Sequence, residues 1–212
     1  MHARYAVGVA AAALLVGGCA SSGDQHVPER ADAPRLDPAR CDAPTPVGDV
    51  DRSAYGLRYT RGTMRIRVEP TDAEARCVEF AKSGNPSVEV PPDTLLFTFA
   101  GTDGEGGQFE FLASALTGGR VPGSPPAPKL TAPIPARVGV SVDGLYYSAT
   151  ACSLTLTRVG AAAAAGRFDC PEAVADDANP FAPSDDVPYD EAPTPTAPPA
   201  TARLSGRFEV QA

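Results

Sequence analysis

Apolar side chains recur at every second position in two neighbouring runs of the chain, and this period of two constrains the fold more than any other feature. Successive side chains of a β-strand point to opposite faces, so the apolar members of one run share a face. The glycine-rich residues 101–107 separate the two runs, which indicates a hairpin. Folding it about residue 104 places four rings on one face, in the pairs Phe99–Phe109 and Phe97–Phe111.

Two further hairpins are predicted downstream. Asp143-Gly144 is a signal for a two-residue turn between twisted antiparallel strands. It predicts three cross-strand pairs, namely Val142–Leu145, Val140–Tyr147 and Val138–Ala149. Apolar and polar residues alternate again after Cys152, and a turn at Ala161 gives the pairs Cys152–Cys170, Leu154–Phe168 and Leu156–Gly166.

Strands are also expected at residues 63–68 and 202–210, where apolar residues alternate. Residues 72–82 are the best helix candidate, because Ala73, Cys77 and Phe80 fall near one helical face. Several short strands separated by turn signals are typical of all-β domains. The sequence therefore predicts a mainly β fold, either an antiparallel β-sandwich or a small barrel, with at most one short helix.

Two segments lack apolar periodicity. Residues 19–50 are rich in Pro, Ala, Asp and Arg, which indicates a flexible tether with a mean span of about 30 Å. Residues 171–200 carry seven carboxylates, several prolines and no basic residue, so they cannot bury enough apolar surface to fold. Since a final strand follows, they are predicted to form a disordered acidic, Pro-rich loop within a single β domain at residues 51–212.

The first 18 residues have the layout of an export signal. His2 and Arg4 give a short basic start, and residues 6–16 form an apolar run. This run is too short to span a bilayer, which takes about 20 residues. Gly17-Gly18-Cys19 follows the run, and small and polar residues come after the cysteine. The ending resembles the lipobox of bacterial lipoproteins, in which an aliphatic residue and small residues precede the modified cysteine.

The resemblance implies cleavage before Cys19, a diacylglyceryl group on its sulfur, and an amide-linked acyl chain such as palmitate. Residues 1–18 are then the signal peptide, and the protein sits at the extracytoplasmic face of the cell membrane. Each buried CH₂ contributes about 0.8 kcal/mol, so two or three acyl chains anchor a protein stably. A plain signal peptide with an incidental cysteine is the alternative.

Setting Cys19 aside leaves four cysteines, an even number that indicates two disulfides in an exported chain. The third hairpin favours Cys152–Cys170, and with it Cys41–Cys77, over the other two connectivities. Zinc is the competing interpretation of four thiols, but the chain contains no C-x-x-C pair. No metal and no cofactor is therefore expected.

Charge and histidine content argue against several classes of function. The formal net charge is −8 and the arginines are scattered along the sequence. Nucleic acid is therefore not an expected partner, because binding its phosphates requires basic side chains. The histidines are His2 and His26, which leaves none for the folded domain. Ser-His-Asp and Cys-His hydrolysis and histidine-based metal sites are excluded with them.

Carboxylate chemistry is the catalytic possibility that is left, with Glu69, Glu79, Glu89 and Glu110 as candidates. The 101–107 loop leads into a strand and not a helix, so it is expected to be a hairpin loop and not a phosphate loop. The acidic pairs lack the spacing of a specific calcium site; they are Asp176-Asp177, Asp185-Asp186 and Asp190-Glu191.

The sequence thus predicts a non-catalytic, membrane-anchored module of the cell envelope that binds a partner protein, a wall polymer or a lipid. A carrier of an apolar ligand, such as a lipid held inside the sheet, is the first alternative. A hydrolase that cleaves wall glycans through carboxylates is the second.

Overall fold

The structure is a computed structural model that describes residues 35–119, 130, 132–183 and 198–212. The signal peptide, Cys19 and the first part of the predicted tether lie outside the described residues. So do the acidic pairs Asp185-Asp186 and Asp190-Glu191.

Strands dominate the described part of the chain. They are β1 (Arg35–Leu36), β2 (Arg61–Pro70), β3 (Arg76–Ser83), β4 (Glu89–Val90), β5 (Thr94–Ala100), β6 (Gly106–Leu112), β7 (Ile134–Val142), β8 (Leu145–Gly160), β9 (Ala163–Asp176) and β10 (Thr201–Gln211). Two short helices accompany them, α1 (Ala39–Asp42) and α2 (Ala113–Thr117). Neither helix, and no other described helix, is long and apolar enough to cross a bilayer.

Eight of the strands close into an antiparallel barrel. From β5 to β10 each strand pairs with the next one along the chain; β10 then pairs with β2, β2 with β3, and β3 with β5. Inward-facing apolar residues alternate with outward-facing polar ones, as in β2, where Met64, Ile66 and Val68 are buried and Arg65 and Arg67 are partly exposed. The predicted mainly β fold is confirmed, and of its two forms the chain adopts the barrel.

The hairpin registers agree with the sequence to different degrees. At Asp143-Gly144 all three predicted pairs are present, and the third hairpin has Leu154–Phe168 and Leu156–Gly166 as predicted. The β5–β6 register differs from the prediction by two residues, since Phe97 lies opposite Phe109 and Phe99 opposite Gly107. A shift of two residues leaves every side chain on its face, so the four rings still point inward.

The helix predicted over residues 72–82 is wrong, because most of this segment belongs to strand β3. Val78 and Phe80 are buried in the core, while Cys77 is bonded to the segment outside the barrel. β3 pairs with β2 along one edge and with β5 along the other. These tertiary pairings override a weak local preference, as they commonly do for short segments.

The barrel closes at a short seam. β3 and β5 share three residue pairs, from Ala81–Ala100 to Ser83–Thr98, whereas β10 and β2 share ten. On either side of these pairs the seam is lined by short strands: β1 pairs with β3 and β4 pairs with β5.

Parts of both segments that are predicted to lack structure are ordered on the barrel. From Arg35 on, the chain predicted as tether up to residue 50 lies against the barrel, with a strand, a helix and a disulfide. At the other segment, β9 continues to Asp176 because its alternating Ala173 and Ala175 pack on the core. Residues 177–183 then fold onto the outer wall, where Asn179 donates a 2.8 Å hydrogen bond to Ser141.

Candidate functional site

Aromatic rings from opposite walls meet inside the barrel. β6 and β10 lie four places apart in the ring of strands, so Phe109 and Phe208 reach inward from opposite sides. Their ring centroids are 4.5 Å apart, and the Phe97 centroid lies 4.6 Å from that of Phe109 and 5.6 Å from that of Phe208. Rings at such distances are in direct contact. At this level the lumen is therefore filled by the protein's own side chains.

The end of the barrel where β2 begins is closed. Leu57 and Tyr59 precede β2, Leu116 comes from α2, and all three are buried in the core. The Tyr59 hydroxyl donates a 2.9 Å hydrogen bond to the Gly160 carbonyl. Burial raises the pKa of Tyr59 to about 12, so its phenol is neutral at physiological pH.

At the opposite end of the barrel, polar groups connect two neighbouring loops. The Ser141 hydroxyl donates a 2.8 Å hydrogen bond to the Gly104 carbonyl, and the Asp143 amide donates to the buried Glu105 carboxylate at 3.1 Å. Asp143 also forms an ion pair with Arg76. The 101–107 loop is thus part of a hairpin, as predicted, and its polar groups serve to hold the loops together.

A small pocket lies beside the β7–β8 pair. It encloses about 120 Å³, and Leu130, Ile134, Leu154 and Leu156 supply most of its apolar lining. Ligand sites for drug-sized molecules typically enclose about 300–1,000 Å³. This pocket is therefore too small to hold an acyl chain of a lipid.

The four candidate carboxylates are dispersed, and each has a local partner. Glu79 of β3 lies opposite Arg65 of β2 and forms an ion pair with it. Arg65 comes four residues before Glu69 on β2, so the Glu79 and Glu69 carboxylates are offset by about 13 Å along the strands. The carboxylates of a glycosidase lie roughly 5–9.5 Å apart. The remaining partners are Arg67 for Glu69, the amides of Gly56 and Leu57 for Glu89, and Arg137 for Glu110.

Metal-binding geometry is absent from the part of the chain that the structure describes, where no three His, Cys, Asp or Glu side chains converge. Asp176 accepts a hydrogen bond from the Ala178 amide at 3.2 Å, which is a local turn contact. The other acidic pairs considered for calcium lie outside the described residues.

All four remaining cysteines form disulfides, in the favoured connectivity. Cys152–Cys170 joins β8 to β9 with a Cα–Cα distance of 4.2 Å, and Cys41–Cys77 joins α1 to β3 with 6.0 Å. The predicted pairing is confirmed, and the thiols are not available for zinc.

The most unusual feature is a segment that crosses the outside of the barrel. This segment, residues 35–51, is called the strap below. It begins as β1 beside β3, is cross-linked there through Cys41–Cys77, and ends on β8, where Val50 bridges to Val159. Its last part is bonded to β8 through main-chain hydrogen bonds, from Gly48 to the Thr157 carbonyl at 2.9 Å and from Asp51 to the Val159 carbonyl at 2.8 Å.

Arginines on the outer wall hold the middle of the strap. Arg67 of β2 bonds to Asp42 at 3.0 Å, and Arg207 of β10 donates to the Pro44 carbonyl at 2.8 Å. The Thr157 hydroxyl donates to the Pro46 carbonyl at 2.8 Å. The strap is thus fastened at β3, β2, β10 and β8 in succession.

One row of the outer wall concentrates positive charge. Arg65 lies directly opposite Arg207, and Arg207 lies directly opposite Arg167, on the neighbouring strands β2, β10 and β9. Adjacent strands are about 4.8 Å apart. Burial lowers the pKa of Arg207, and the nearby charges of Arg65 and Arg40 lower it further. The three row residues and Arg40 of α1 are called the arginine row below.

Sequence reasoning did not find either feature. The arginines look scattered because Arg65 and Arg207 are far apart in the chain, and strand register alone brings them together. The Pro, Ala, Asp and Arg content of the strap carries no apolar period, which is why the sequence predicts a tether there. The one available signal was Cys41, since its disulfide to Cys77 requires residues near position 41 to lie on the domain.

Comparisons of this chain with models of known families, with curated proteins and with solved structures give no match.

Proposed function

We propose that this chain is a lipid-anchored protein of the cell envelope whose barrel is a non-catalytic binding module, and that the module binds its partner with its outer wall and loops. The contact between Phe109 and Phe208 carries the second half of this proposal. A barrel whose opposite walls touch has no lumen space for a ligand at that level. Ligand contacts then fall to the outer surface.

The anchor half depends on the sequence, in which Gly17-Gly18-Cys19 resembles a lipobox. Since residues 35–50 lie on the barrel, the part of the predicted tether that is left for a spacer is residues 20–34, which lie outside the described residues. Fifteen flexible residues have a mean span of roughly 20 Å. A spacer of this length has a shorter reach from the membrane than the tether of about 30 residues that the sequence predicts.

The strap gives this anchor a firm attachment. Force applied at Cys19 reaches β1 and then the Cys41–Cys77 disulfide before it reaches the hydrogen bonds that join residues 42–51 of the strap to the barrel. A covalent cross-link to β3 protects those weaker contacts. This arrangement supports a domain that is displayed at a membrane and contacts a partner under load.

Native mass spectrometry of the protein purified from its own membranes tests both halves. The expected mass is that of residues 19–212 plus the acyl groups on Cys19, and Cys19→Ala should abolish the acyl mass and the membrane fractionation. A further lipid bound in stoichiometric amount would refute the filled lumen and favour the carrier. Turnover of wall glycan that is lost in Glu→Gln variants would refute the non-catalytic assignment.

A further inference from the structure

We infer that the arginine row contains a binding site for phosphate groups on the outer wall, centred on Arg207 and completed by Arg167 and Arg40. The inference deepens the proposed function, on which it rests, by naming the chemistry of the ligand. The two fail independently, because a binding module can recognise its partner through other parts of its surface.

Register is the first argument. The pairings of β10 with β2 and with β9 place three guanidinium groups in line across three strands. Like charges directly opposite each other destabilise a sheet. The carboxylate of Glu79 neutralises Arg65 by an ion pair. Within the described residues Arg167 has no such partner, so the positive charge at the other end of the row is uncompensated.

The hydrogen-bonding state of Arg207 is the second argument. One terminal nitrogen donates to the Pro44 carbonyl, but its buried Nε has no hydrogen-bond partner in the described part of the chain. Buried donors are normally satisfied, and one that is not calls for an explanation. Nε is closed off from solvent, but Arg207 as a whole is partly exposed, so the terminal nitrogens of its planar guanidinium are the donors that can bind an oxyanion.

Arg40 supplies the third argument. It is exposed on α1, forms no ion pair with any described residue, and lies near enough to Arg207 to lower the pKa of that residue. The carboxylates of Glu79 and Glu209 act in the opposite direction on Arg207. Three guanidiniums without an ion-pair partner among the described residues favour a ligand of more than one negative charge, and phosphate meets this better than a single carboxylate.

The positive charge of the arginine row contrasts with the negative charge of the whole chain. Its formal net charge is −8, so anions are repelled by most of the molecule and attracted at this wall. Phosphate groups accessible to an envelope protein occur free, in wall polymers and in lipid headgroups. The chemistry of recognition is the same for all three, and experiment separates the sources.

The test titrates the purified full chain, in non-ionic detergent at low salt, with inorganic phosphate. Separate arms use glycerol-phosphate oligomers, vesicles of phosphatidylglycerol with phosphatidylcholine, and vesicles of phosphatidylcholine alone. Arg167→Gln and Arg40→Gln remove exposed groups that do not hold the strap. Arg137→Gln is the matched control, since Arg137 is 69% exposed on β7, outside the arginine row.

Each row variant is expected to weaken phosphate binding by roughly tenfold, the effect of losing one charge-assisted hydrogen bond, while the control leaves it unchanged. Arg167→Lys should bind phosphate more tightly than Arg167→Gln but less tightly than the wild type, because lysine restores the positive charge without the planar guanidinium. The arm that binds most tightly, and responds to the same variants, identifies the source. Absence of binding in every arm, or equal loss in the Arg137 control, overturns the site; unchanged melting of the variants shows that they fold.

Discussion

Replacing Phe109 with alanine tests the filled lumen directly. Its ring contacts those of Phe97 and Phe208 at centroid distances of 4.6 and 4.5 Å, and lies within 6.3 Å of the Phe168 centroid. Removing a buried phenylalanine costs about 3–5 kcal/mol of unfolding free energy. In a domain of this size each kcal/mol lowers the melting temperature by about 2–4 °C, so Phe109→Ala should melt about 6–20 °C below the wild type.

The same substitution should create a binding cavity where the wild type has none. An apolar cavity of about 150 Å³ stays dry and binds benzene. Phe109→Ala is therefore expected to be stabilised by benzene in a thermal melt, whereas the wild type is not. The control is Leu112→Ala on the same strand, where the side chain is 57% exposed and the change should cost less than about 1 kcal/mol. A loss below about 1 kcal/mol for Phe109→Ala, or benzene binding by the wild type, would refute the filled lumen.

Three further outcomes follow from the strap, a turn and a buried phenol. The double variant Cys41→Ser with Cys77→Ser opens a loop of 36 residues and should lose about 4 kcal/mol in guanidinium denaturation; a loss near zero would contradict the chain-entropy account. Gly144→Ala should cost about 1–2 kcal/mol because φ there is 78°, while Gly160→Ala, with open space where its Cβ would lie, should be nearly neutral; equal costs would count against the turn geometry. Burial raises the pKa of Tyr59 to about 12 in the folded state, so the stability that its neutral phenol contributes is complete below pH 10 and is lost as the pH rises toward 12. The free energy of unfolding of Tyr59→Phe should therefore decline less steeply over this range than that of the wild type, and identical pH profiles would contradict this.

Local pattern determined much of the fold. The alternation in β2 and β10 and the Asp143-Gly144 turn are encoded within a few residues, because period and turn chemistry act over short distances. The Cys152–Cys170 pairing followed from the same reasoning, since a hairpin register fixes which residues lie opposite each other.

The β5–β6 register shows where local pattern stops. Gly106 and Gly107 look like loop residues, yet both lie in β6. Neighbours distant in sequence occupy the space that side chains would need there: the Phe181 ring covers Gly106, and Met64 packs on Gly107. The sequence around residue 104 contains no sign of these contacts, and the predicted turn centre therefore lies one residue after the observed centre at residue 103.

The sequence by itself determined that the chain forms antiparallel strands with one apolar face, three hairpins and two disulfides, and it predicts the lipid anchor at Cys19. Only the tertiary structure decided between sandwich and barrel, because alternation records which face is buried and not how the sheet closes. It likewise decided the path of the strap and the meeting of Arg65, Arg207 and Arg167 on one wall. These depend on pairings between strands remote in sequence, and such pairings are set by the global register of the barrel.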